Sequence, residues 1–169
     1  MRVPLGRTCE NMRTKLALSL LCFLMSGCAD TLTGDDISII FSDQVMQGTY
    51  ANVLNTVEGT FTKDMVLGPP ITIQLTLTGD ERKRIYLQAK ELGFFKLPSQ
   101  IVDTGNRHKT PCHDYELEIR RGRGSHRVRW DDCECSEPEG LRQLRTLIYS
   151  SITSKDEYKR LPPIRGMYM

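Results

Sequence analysis

The residues best equipped for chemistry lie between Cys112 and Cys135, in CHDYELEIRRGRGSHRVRWDDCEC. Three cysteines, two histidines, five arginines and the only tryptophan of the chain fall within these 24 residues. Thiolates and imidazoles are the usual ligands of zinc and copper(I), so Cys112, His113, Cys133 and Cys135, joined by His108, make up a candidate metal set. The spacing is poor for it: a Cys-x-Cys and an adjacent Cys-His replace the usual Cys-x2–4-Cys ligand pairs. The competing chemistry for the same thiols is a disulfide, with Cys112, Cys133 and Cys135 as candidates. No Gly-x-Ser-x-Gly, His-Glu-x-x-His or phosphate-binding glycine loop occurs, so no catalytic residue is assigned and the chain reads as a non-enzyme.

Two strands must position these groups. Tyr115, Leu117 and Ile119 alternate with Glu116, Glu118 and Arg120, and Val128 and Trp130 alternate with Arg127 and Arg129. Two hairpin registers keep both apolar sets on one face. One closes through a two-residue loop, Gly122-Arg123, with the glycine first as a type II′ turn prefers. It sets Tyr115 opposite Trp130 and Leu117 opposite Val128, with Glu116 facing Arg129 and Glu118 facing Arg127. The other, slipped by two, opposes Arg120 to Arg127 and Glu116 to Asp131. Each cross-strand charge pair contributes only about 0.2–1 kcal/mol, but two attractions replacing two repulsions decide between otherwise similar registers. The first register also places Cys112 across from Cys133, where paired strands bring Cα atoms within disulfide range. The extrapolation past Asp131 leaves Cys112–Cys135 open. In this register the arginines are glutamate partners and a loop tip, with Arg121 and Arg123 left as a surface contact for anionic lipid or envelope polymer.

The compartment is read from the N-terminal region. Arg13 and Lys15 precede the apolar run Leu16–Met25, too short to span a bilayer but suited to a signal-peptide core. The run ends in Met25-Ser26-Gly27-Cys28, which resembles the lipobox of bacterial lipoproteins; cleavage before Cys28 would leave that cysteine to carry palmitate-type acyl chains as a membrane anchor. Met12 opens a better signal peptide than Met1, so residues 1–27 are expected to be a signal peptide starting at Met12. They hold four of the 23 Lys/Arg and one of the 21 Asp/Glu, which leaves 19 basic and 20 acidic groups. A near-neutral remainder gives no electrostatic footprint for nucleic acid, and RGRG lacks the repetition of an RGG box.

Residues 28–36 read as a polar tether, 37–155 as a single domain and 156–169 as an irregular tail. Ile37–Phe41 and Val57–Val66 read as strands, and Ile71–Leu77 alternates without fault. Thr78 and Glu81 form a capping box for a helix that carries Ile85, Ala89 and Leu92 on one face and stops at Gly93. Ser136 and Glu139 suggest a second capping box, before a helix with Leu141, Leu144, Ile148 and Ile152 on one stripe. The expected fold is α+β: an antiparallel sheet of about five strands with two helices packed on one face.

Residues 60–95, with Lys63-Asp64, Pro69-Pro70-Ile71-Thr72-Ile73 and a helix ending in Phe94-Phe95, resemble an uncharacterised family of lipoproteins from Bacillus-like bacteria. That resemblance implies the same lipid-anchored address and no activity. Leu77 to Ile152 is similar in layout to emfourin, an inhibitor of thermolysin-like metallopeptidases, through Gly93-Phe94-Phe95-x-Leu97-Pro98, Asp114-x-x-Leu117 and His126-x-Val128. It implies inhibition of such a peptidase, although the chain lacks the Ser-Gly-Gly-Phe-type first strand expected to make the inhibitory contact. The functional expectation is a lipid-anchored extracytoplasmic binding or envelope-associated module with no cofactor beyond the lipid on Cys28. Its partners would be the membrane, through the lipid anchor, and an unknown protein or envelope partner, with no nucleic acid; peptidase inhibition and thiolate/His metal binding are the alternatives.

Overall fold

The alternation that starts at Ile37 does not stop at Phe41. In the computed structural model, which describes residues 32–46, 48–101, 111–133 and 137–168, strand β1 runs Ile37–Val45 with every second residue buried. Two further strands follow as a meander, β2 (Ala51–Asn55) and β3 (Thr60–Lys63), and β4 (Ile71–Gln74) completes it. Helix α1 (Gly79–Glu91) leads through a 3-10 turn at Phe94–Lys96 to the hairpin β5 (His113–Arg121) and β6 (Gly124–Asp131). Helix α2 (Glu139–Thr153) and the one-turn α3 (Asp156–Lys159) close the chain. The sheet is antiparallel with order β4-β3-β2-β1-β5-β6, so the fold is the expected α+β with one more strand. That strand, β2, lies in a stretch whose own periodicity is weak and which pairing to β1 makes regular.

The core lies between one sheet face and the helices. Ile37, Ile39, Phe41, Leu54, Phe61, Leu117, Ile119, Val128 and Trp130 meet Ile85, Ala89, Leu141, Leu144, Ile148 and Ile152. Helix α1 begins with both halves of the Thr78–Glu81 capping box in place. Leu75 and Leu77 are buried even though β4 ends at Gln74, because the chain keeps its alternation while leaving the ladder.

Further parts of the sequence reading change. The strand expected over Val57–Val66 shortens to Thr60–Lys63, since the Asn55 side chain accepts hydrogen bonds from the Val57 and Glu58 N–H groups and turns the chain. Helix α2 has Pro138 as its N-cap, with no side-chain cap, in place of a box from Ser136, a residue outside those described. Pro138 disfavours helical backbone at Glu137, and the Glu139 carboxylate turns to Arg142 and Gln143. The C-terminal segment is docked: Tyr158 packs on Phe61, and the Tyr168 hydroxyl donates to Asp64 at 2.5 Å.

The segment before β1 is also packed. Leu32 rests on the core, Arg82 Nη2 reaches Asp35 at 2.7 Å, and a Cβ on Gly34 would meet the Gly79 carbonyl oxygen at 1.8 Å, so only glycine fits. The chain therefore enters beside the start of α1. The β5–β6 tip lies at this same end, where Gly122 N–H faces the Asp36 carbonyl at 3.4 Å, and so does the β2–β3 turn. Among the described residues no helix is long and apolar enough to cross a membrane.

Candidate functional site

The hairpin adopts the register chosen by charge: Tyr115 pairs with Trp130, Leu117 with Val128, Glu116 with Arg129 and Glu118 with Arg127. Gly122 takes φ 54° while Arg123 keeps a negative φ, which a II′ turn requires and a I′ turn does not allow. At the other end the same register carries Cys112 and Cys133 to disulfide-bonding distance, Cα–Cα 4.8 Å. Both cysteines are buried, and Met46 Sδ lies 3.7 Å from Cys112 Sγ and 4.0 Å from Cys133 Sγ. Met46 N–H donates to the Cys112 carbonyl at 2.8 Å, so the end of β1 is tied to the same clamp. Cys28, Cys135 and His108 lie outside the described residues.

Beside the clamp is a buried polar cluster drawn from four elements. Asp43 occupies an inward position of β1, in phase with Ile37, Ile39 and Phe41, and is only 6% exposed. Its Oδ1 meets His113 Nδ1 at 2.6 Å, and its Oδ2 accepts a short hydrogen bond from the Tyr149 hydroxyl of α2. Asp132 accepts from the His113 backbone N–H at 2.7 Å and from the Tyr115 hydroxyl at 3.2 Å. Arg145 grips Glu137 through Nε at 3.0 Å and Nη2 at 2.7 Å, and its guanidinium covers the Tyr115 ring at 4.9 Å. Trp130 Nε1 donates to the same Glu137 at 2.9 Å. The rings of His113, Tyr115 and Trp130 stack in sequence, with centroids 5.8 and 5.3 Å apart.

The electrostatics follow from burial beside a carboxylate. Burial, then the charge of Asp43, pushes the Tyr115 and Tyr149 hydroxyls far above the ordinary phenol range. The hydrogen bonds that Arg145 donates to Glu137 hold the guanidinium firmly charged against its own burial. A buried carboxylate needs donors, and Asp43 has them from an imidazole and a phenol. Each group is engaged by another, so the cluster fastens β1, β5, β6 and α2 together at the disulfide end of the sheet.

Asp43, Glu137, Arg145 and Tyr149 are not found by scanning for motifs. One signal was present: continuing the period of β1 puts Asp43 on the dry face, where it must meet donors. Nothing local marks Arg145 or Tyr149, whose partners are on other elements. Of the candidate metal set, His113 has its Nδ1 against Asp43 and the sulfurs of Cys112 and Cys133 face each other. Among the described residues no group of three or more His, Cys, Asp or Glu is placed to hold a metal ion.

A second charged group sits on the opposite sheet face and toward the hairpin tip. Glu118, on the opposite sheet face, is held by Arg120 Nε at 2.5 Å, Ser125 Oγ at 2.7 Å and Arg127 Nη2 at 2.6 Å. The Arg120 hydrogen bond, with those of Ser125 and Arg127, outweighs burial and lowers the Glu118 carboxyl to about 2. Arg121 lies over the Tyr86 ring of α1 at 5.7 Å, and Arg123 is exposed at the hairpin tip. The chain matches no family model, no curated protein and no solved structure. The resemblances of residues 60–95 and 77–152 rest on those residues alone.

Proposed function

We propose that the protein is a lipid-anchored extracytoplasmic module, held to a membrane through Cys28 and non-enzymatic, that binds an envelope partner. The observation that carries this reading is the pairing geometry of Cys112 and Cys133, which suits an oxidising compartment and agrees with the signal-peptide pattern ending at Cys28. The placement of the two ends gives further support. The chain enters at Leu32–Asp36, next to the tip that bears Arg121 and Arg123, so a short tether brings that end nearest the lipid. The clamp and polar cluster are at the far end of the strands, away from the chain entry.

Expression of the full chain in a bacterial host with radiolabelled palmitate tests the anchor. The wild type is expected to take up label and sediment with membranes. Cys28→Ala is expected to lose the label and leave the membrane fraction, and globomycin to stall processing of the wild type. Unchanged label and partition in Cys28→Ala would contradict the reading.

A further inference from the structure

The two edges of the sheet are treated differently. Along β6, Ser99–Ile101 runs parallel and closes the edge: Ile101 N–H donates to the Arg129 carbonyl and Arg129 N–H to the Ser99 carbonyl, both at 2.9 Å. On the other side β4 pairs only with β3 among the described residues. The Leu75 N–H bond to the Gly59 carbonyl at 2.8 Å fixes which main-chain groups of β4 face β3. In an antiparallel ladder these alternate, so Ile71, Ile73 and Leu75 turn theirs inward and Thr72 and Gln74 turn theirs to the open edge. The 2.8 Å contact between the Thr62 and Thr72 hydroxyls agrees, since side chains approach closest at non-hydrogen-bonded pairs.

We infer that a second copy of this chain pairs with the β4 edge, antiparallel about a two-fold axis at Ile73, joining two sheets into one. Three features point to a second copy. The outward groups are self-complementary: Thr72 opposite Gln74 of the other copy, taken twice, makes four main-chain hydrogen bonds, and Pro70, with no N–H, ends the ladder beyond them. No charge stands on Ile71–Gln74 to repel its symmetry mate, although such charges are the usual guard of an edge. Finally, Ile73 shares the helix face with Phe61 and borders an open groove of about 360 Å3 that it lines with Gln74, Glu157, Arg160 and Leu161. Across the axis Ile73 meets its own copy, and each groove carries one Glu157 and one Arg160, so the two copies bring charges of both signs.

The test uses the full-length chain in detergent, with sedimentation across a concentration series. A reversible dimer is expected, weakened at least tenfold by Thr72→Pro, which removes an outward N–H and leaves the β3 ladder intact; an unchanged melting curve verifies the fold. Independently, Ile73→Cys in a Cys135→Ser background is expected to cross-link to itself under mild oxidation, and Ile71→Cys is not, because the register separates the two copies of residue 71. If Thr72→Pro unfolds the chain, the cross-linking contrast decides. A chain monomeric at every concentration, a dimer indifferent to Thr72→Pro in a folded protein, or equal cross-linking at 71 and 73 would overturn the proposal. The monomeric result would leave the edge to a foreign strand.

Discussion

Asp43 and Glu118 are both buried carboxylates, one on each face of the sheet, and their donors differ in kind. Asp43 is served by His113 and Tyr149 from other elements, so Asp43→Asn leaves a half-buried phenol and imidazole facing a weaker acceptor. The expected cost is about 2–3 kcal/mol in urea denaturation, with the near-ultraviolet circular dichroism of the stacked rings altered as well. Glu118 is served by Arg120 and Arg127, whose side chains are 46% and 54% exposed, so solvent screening trims its value and Glu118→Gln is expected to cost about 2 kcal/mol at pH 7. The sign of its pH dependence follows from a folded value of about 2 against an ordinary 4.5. That stability is complete above the unfolded value and is lost as pH falls through the interval. Denaturation of wild type and Glu118→Gln at a series of pH values should therefore converge near pH 2. The raised tyrosines act in the opposite direction: the stability they contribute is present below the ordinary phenol value of 10.0 and is lost as pH rises past it.

Among the elements, the β5–β6 hairpin is the unit that the rest is built around. Its tip is set by Gly122 and its register by two Glu–Arg pairs, while its base is closed where Cys112 meets Cys133. A cross-link spanning 21 residues restricts the unfolded chain by about 3 kcal/mol. Cys112→Ser and Cys133→Ser should each lose about that much, and the double variant no more than either single one. Cys135→Ser should leave the melting temperature unchanged. Thiol counting and peptide mapping under denaturing conditions check the pairing directly, and a Cys112–Cys135 link would refute it. The hairpin was legible because both its strands have strict period-two alternation and its charges break the tie between registers. Helix α1 was legible because its capping box is local. The start of α2 was misread because Pro138 takes the N-cap position without a side-chain cap, while the preceding Glu137 is held by Trp130 and Arg145.

At the scale of the molecule, antiparallel pairing sorts the loops into two ends. The chain entry, Val57 in the β2–β3 turn and the Arg123 tip share one, whereas Leu67 after β3 lies beyond the opposite end of the strands. Val57 and Leu67 are exposed at 63% and 69%, so either accepts a label without disturbing the core. If the acylated chain rests on its entry end, a fluorophore at Val57→Cys on vesicles with a headgroup quencher should be quenched at least twofold more than one at Leu67→Cys. Equal quenching would refute that orientation.

What the amino-acid order determined by itself was everything governed by neighbours a few residues apart. This covers the alternation of β4, β5 and β6, the start of β1, the Thr78–Glu81 cap, the Gly122-Arg123 turn and the hairpin register, whereas the choice of Cys133 over Cys135 as the residue that meets Cys112 came from the structure. Only the tertiary structure decided the partners of Asp43, whose bonds to His113 and Tyr149 span 70 and 106 residues, and the pairing that turns Ala51–Asn55 into a strand. The physical reason is the same in each case: such contacts form only once the sheet has closed, and no local propensity foreshadows a donor that arrives from a distant element.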